Sequence, residues 1–109
     1  MFDALVTLLK AIKNVQFTEY EWKTRPNGNF GTVQLDFEAE VSEGDDTKQD
    51  RAWEGSADLF THGKEMQVAA DVETALETVC EGSWYLNSEQ YEQSTGLIHR
   101  EFVFQIEAR

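Results

Sequence analysis

The stretch Thr32-Val33-Gln34-Leu35-Asp36-Phe37-Glu38-Ala39-Glu40-Val41-Ser42 decides the fold. Val33, Leu35, Phe37, Ala39 and Val41 alternate with Gln34, Asp36, Glu38 and Glu40, the period of two that marks a strand with one buried face and one wet face. Strands of this kind build antiparallel sheets covered on one side. Upstream, Arg25-Pro26-Asn27-Gly28-Asn29-Phe30-Gly31 carries the only proline and two glycines, so the chain is expected to reverse there. Before it, residues 15–24 (VQFTEYEWKT) are rich in aromatic and β-branched residues and read as a first strand. Its large residues change parity between Phe17 and Tyr20, which implies a bulge or aromatic packing on both faces.

At the N-terminus Phe2, Leu5, Val6, Leu9 and Ile12 fall at helical spacing, with Asp3 in the first turn, and predict an amphipathic helix over 2–13. Downstream of the alternating strand, residues 43–50 (EGDDTKQD) contain no apolar side chain and read as an exposed acidic loop that orders on assembly. Trp53, Gly55, Ala57 and Leu59 alternate again, giving a third strand that closes a long hairpin. Val68, Ala69, Val72, Ala75, Leu76 and Val79 predict a second helix over about 64–80, with Gly82 as its left-handed terminator. Two strands, 83–93 and 96–107, end the chain as a hairpin in which Ile98, Phe102, Phe104 and Ile106 share a face. The order is α-β-β-β-α-β-β: a single α+β domain over 1–109 with a mostly antiparallel sheet and two helices on one face.

The net charge is −12, and the basic residues are scattered singly among acids. Such a chain repels phosphate backbones and anionic headgroups, so neither direct nucleic-acid binding nor membrane binding is expected. The start of the chain has no basic secretory leader, no apolar run reaches the roughly 20 residues that span a bilayer, and Cys80 is the sole cysteine. A reducing cytoplasm fits these features.

The candidates for nucleophilic chemistry are Cys80, His62 and His99. Cys80 stands near a helix C-terminus beside Glu77 and Glu81, which disfavours a thiolate. The two histidines are 37 positions apart and match no metal-ligand spacing. No enzyme activity, cofactor or metal is expected. Asp36, Glu38 and Glu40 share a strand face by alternation, and three readings stay open for them: a solvated face, a face that meets a basic partner, or a divalent-cation site. Asp45, Asp46, Asp50 and Arg51 in and beside the acidic loop join them as candidate partner-binding residues. The aromatic residues read as core or subunit contacts, since without basic flanks they make no base-stacking platform.

This layout resembles the tail-terminator, minor-tail and related tail-completion proteins of long-tailed bacteriophages and prophages. The likeness is carried by the helix from Phe2 to Lys13, the hairpin from Thr32 to Phe60 with its polar tip, the helix from Lys64 to Cys80, and the closing strand Gly96-Leu97-Ile98-His99-Arg100-Glu101-Phe102-Val103-Phe104-Gln105-Ile106-Glu107. It implies a structural virion-assembly protein: a ring, typically of six copies, that caps the tail tube and meets the head-tail connector. Its places would be the bacterial host cytoplasm during assembly and then the virion tail. The chain departs from that pattern in its single proline and heavy acidity. Two other functions fit the composition: an acidic inhibitor or DNA mimic, and a small-ligand-binding α+β domain. A mimic needs carboxylates spaced like phosphates, whereas here acids are interleaved with Lys23, Lys48, Arg51, Lys64, Arg100 and Arg109.

Overall fold

The computed structural model describes residues 1–39 and 52–107, and at residues 38 and 39 the backbone alone. Its elements run α1 (Phe2–Lys10), β1 (Gln16–Glu19), β2 (Phe30–Ala39), β3 (Ala52–Thr61), α2 (Met66–Cys80), β4 (Trp84–Glu92) and β5 (Leu97–Ile106). The α+β order read from the sequence is the observed one. The five strands form one sheet in the order β1-β2-β3-β5-β4. The expected acidic loop, with Asp45, Asp46, Asp50 and Arg51, lies outside the described residues, as does Glu40.

The sheet is mixed, because β1 pairs with β2 in parallel, Phe17 standing beside Gly31. The chain therefore crosses over between them and does not reverse. β1 is also shorter than the aromatic run suggests. Tyr20 takes a left-handed φ of 67° and ends the strand, so the parity change after Phe17 is a strand end and not a bulge. The connection over 20–29 is held by side chains in place of a helix. Trp22 Nε1 donates to the Gly31 carbonyl at 3.1 Å. Asn29 donates from Nδ2 to the Asn14 carbonyl at 2.9 Å and accepts from the His62 amide at 2.8 Å. Gly31, read from the sequence as part of a turn, is a strand residue: a Cβ there would collide with the Phe17 ring and the Asp58 carbonyl.

Both helices cover one face of the sheet. Leu5 and Leu9 from α1, Val68, Val72 and Leu76 from α2, and Val33, Ala57, Leu59, Phe102 and Phe104 from the strands are all buried in one cluster. α1 stops three residues before the expected Lys13, and Ile12 beyond it still packs on the core. α2 begins at Met66, two residues after Lys64, with Glu65 in the left-handed region. At its end Glu81 takes the left-handed cap position with φ 46°, and Gly82 follows with φ 89°. Gly55 admits the Phe104 ring over its backbone, where a Cβ would clash.

Candidate functional site

Among the described residues, no helix covers the other sheet face. Register places four rows of residues there across β2, β3, β5 and β4. They are Phe30, Phe60, His99 and Gln90; Thr32, Asp58, Glu101 and Ser88; Gln34, Ser56, Val103 and Tyr85; and Phe37, Glu54 and Gln105. The last row reflects a bulge. The pairing shifts between Leu35 and Phe37, leaving Asp36 without a partner on β3, so Phe37 turns away from the core and is 54% exposed. The alternation read through Val33, Leu35, Phe37 and Ala39 therefore breaks at Asp36. Asp36 and Glu38 do not share a simple strand face: Asp36 is the bulge residue, and Glu38 stands opposite Trp53 in the register.

This face is acidic. Asp36, Glu54, Asp58, Glu92 and Glu101 bring carboxylates to it or to its margin, while of the described lysines and arginines only Arg25 reaches it, over Phe30 at one end. Lys10 and Lys13 follow α1, Lys23 and Arg25 sit in the β1–β2 connection, Lys64 precedes α2, and Arg100 is buried on the helix side. The charges sense one another. Burial is the largest influence on Asp58 and raises its pKa above the ordinary carboxylate value, Glu101 and Asp36 push the same way, and His99 works against them.

His99 is the centre of one corner. Its Nε2 lies 2.7 Å from Asp58 Oδ1, and its Nδ1 lies 3.5 Å from Glu92 Oε2. Its ring stacks on Phe60 at 4.2 Å, Phe60 stacks on Phe30 at 4.8 Å, and the Arg25 guanidinium lies 5.3 Å from the Phe30 ring centre. His62, the second histidine, meets the Asn27 carbonyl at 3.1 Å. Cys80, the last residue of α2, is buried in the core, and burial, then Glu77, pushes its thiol up to about 11. It stays protonated at neutral pH. Among the described residues no three His, Cys, Asp or Glu side chains are placed to hold a metal ion, and no helix is long and apolar enough to cross a membrane.

No family model matches the chain, and no curated protein matches it. The site therefore rests on its own geometry. Neither the aromatic stack at His99 nor the reversal at Phe37 was visible in the sequence. The stack needs the β3–β5 register, which brings together residues 39 positions apart, and a bulge leaves no mark in an unbroken alternation.

The raised Asp58 pKa sets a pH dependence. A carboxyl that holds its proton more tightly folded than unfolded lends stability at low pH and loses it as pH rises through the folded value. The window opens at about pH 4, the ordinary value for Asp, and extends upward. Asp58→Asn lacks this titration, so the variant should gain ground on the wild type as pH rises from about 4. Urea melts of both proteins across that range check the sign; a constant difference would refute it.

Proposed function

We propose that this chain is an assembly protein of the tail-terminator type, acting as one subunit of a ring of six copies that caps a tail tube and mates with the head connector. It would gather in the bacterial host cytoplasm and end in the virion tail. One observation supports the reading above the others: a sheet with helices on a single side leaves a bare face on which exposed Phe37 and Tyr85 stand among carboxylates. A bare sheet face combining aromatic anchors with one sign of charge suits contact with another protein. The two sheet edges are also unlike. β1 is four residues long and followed by Lys23 and Arg25, whereas β4 is nine residues long and carries Tyr85, Tyr91, Glu89 and Glu92. Unlike edges suit the head-to-tail contacts that close into rings. Surplus carboxylates in a ring lumen would let DNA pass without adhering.

The test is to polymerise the tail-tube protein of the same genome with and without this chain and to image the products. Tubes of limited length with rings at one end are expected. Uncapped tubes alongside a persistent monomer that blocks a nuclease would replace this reading with DNA mimicry.

A further inference from the structure

At the β4 side of the bare face, Glu54, Tyr85, Val103 and Gln105 line a hollow of about 250 Å³ together with Phe104 and the segment Gly82-Ser83-Trp84. We infer that this hollow receives an arginine side chain presented by a second, basic protein. The inference rests on the reading of the bare face as a mating surface, and not on the ring.

Size comes first. Sites for metabolites and cofactors run from roughly 300 to 1,000 Å³, so this one suits a single inserted side chain. Chemistry comes second. Glu54 is a half-buried residue of β3 with neither an ion pair nor a hydrogen bond from its side chain to any described residue. Tyr85 supplies a ring 56% exposed, and the Gln105 side chain supplies an exposed amide. A carboxylate, an aromatic face and an amide oxygen together match a guanidinium, which is planar, forks its donors and stacks on rings; an ammonium uses only the first of these well. Among the described residues no lysine or arginine lines the hollow, and Arg25 reaches the face only at its far end, over Phe30.

The occupant is a different protein and not another copy. The hollow lies on an acidic face, which a basic partner complements better than a chain of net charge −12 does. Arg25, the exposed arginine among the described residues, is engaged over Phe30 at the far end of the face, beside Phe60 and His99.

The probe is a short capped peptide, acetyl-Gly-Arg-Gly-amide, titrated into the whole isotope-labelled chain while amide shifts are followed by NMR. Its citrulline counterpart keeps the shape and removes the charge. Shifts centred on Tyr85, Val103 and Gln105 are expected with the arginine peptide and absent with citrulline. Glu54→Gln should weaken binding about three- to fivefold, the range of a partly exposed ion pair with a ring contact. Glu21→Gln, which removes the same charge from the exposed β1–β2 connection, should bind as the wild type does. Equal weakening by both substitutions would reduce the effect to diffuse attraction and overturn the site. The same shifts appearing on concentrating the chain without peptide would make a second copy the occupant and overturn the assignment to another protein. Either failure leaves the tube-capping reading to be judged on tube ends alone.

Discussion

Phe102→Ala should cost about 3–5 kcal/mol, the range for removing a fully buried aromatic ring. In a domain whose whole stability is about 5–15 kcal/mol, that loss lowers the thermal midpoint by more than ~10 °C. Phe102 is 0% exposed and sits on β5 between Ala57 of β3 and Leu86 of β4. Trp84 tilts toward its ring at 6.3 Å. Ala57 is too short to fill the space, and Leu86 stands at the sheet edge, 41% exposed, where moving inward would give up its own packing. The cavity therefore persists, and a persistent cavity puts the cost toward the upper end of its range. Phe102→Leu keeps most of the volume and should cost less than half as much. Urea or thermal melts of the two variants check both values. A loss under ~1 kcal/mol for alanine would mean that the layer around β5 repacks freely.

Phe102 was legible in the sequence, and the reason is physical. Phe102, Phe104 and Ile106 alternate, and the helix stripes of Leu5, Leu9, Val72 and Leu76 keep their spacing, so period alone assigns them to a core. Phe37 was not legible, because its place depends on the bulge at Asp36, and a bulge is a relation between two strands. The parallel pairing of β1 escaped for a similar reason. Asn27, Gly28 and Asn29 do form a bend, but the direction in which the chain leaves it is set by Trp22 and Asn29 reaching distant backbone groups. Of the candidate site, the acidity was plain from the counts, and Asp36 does lie on the bare face. Glu54 and Glu101 were not singled out, since a carboxylate in an acidic chain is conspicuous only once its neighbours are known. Arg100 was read as one more scattered base, with Glu101 beside it in sequence; on a strand those two side chains point to opposite faces.

Arg100 is instead 3% exposed on the helix side, and its replacement is expected to be the second costly change. Its Nη2 donates to the Lys64 carbonyl at 2.6 Å, Nη1 to Thr61 Oγ1 at 3.3 Å, and Nε to Glu89 Oε1 at 3.2 Å. Thr61 is itself fully buried and donates to the Gly63 carbonyl at 2.8 Å. The guanidinium thus ties β5 to the segment that leads into α2. That segment needs a tie, because α2 starts at Met66 behind an N-cap residue, Glu65, that makes no side-chain cap bond, and has no acidic residue in its first turn. Arg100→Ala should cost about 3 kcal/mol, as breaking a buried polar cluster does when partners are left unmatched. Arg100→Lys keeps the charge but cannot fork to three acceptors, and it should recover less than half of the loss. Glu89→Gln should cost less than ~1 kcal/mol, because the Glu89 side chain is half exposed and water screens the pair. The ordering separates two causes. If Glu89→Gln matched Arg100→Ala, the ion pair would be the stabilising contact; if it is nearly silent, the neutral acceptors Thr61 and Lys64 are. Hydrogen exchange supplies the local readout: in Arg100→Lys the first hydrogen-bonded amides of α2, residues 69–72, should exchange faster while those of the β2–β3 pair keep their protection.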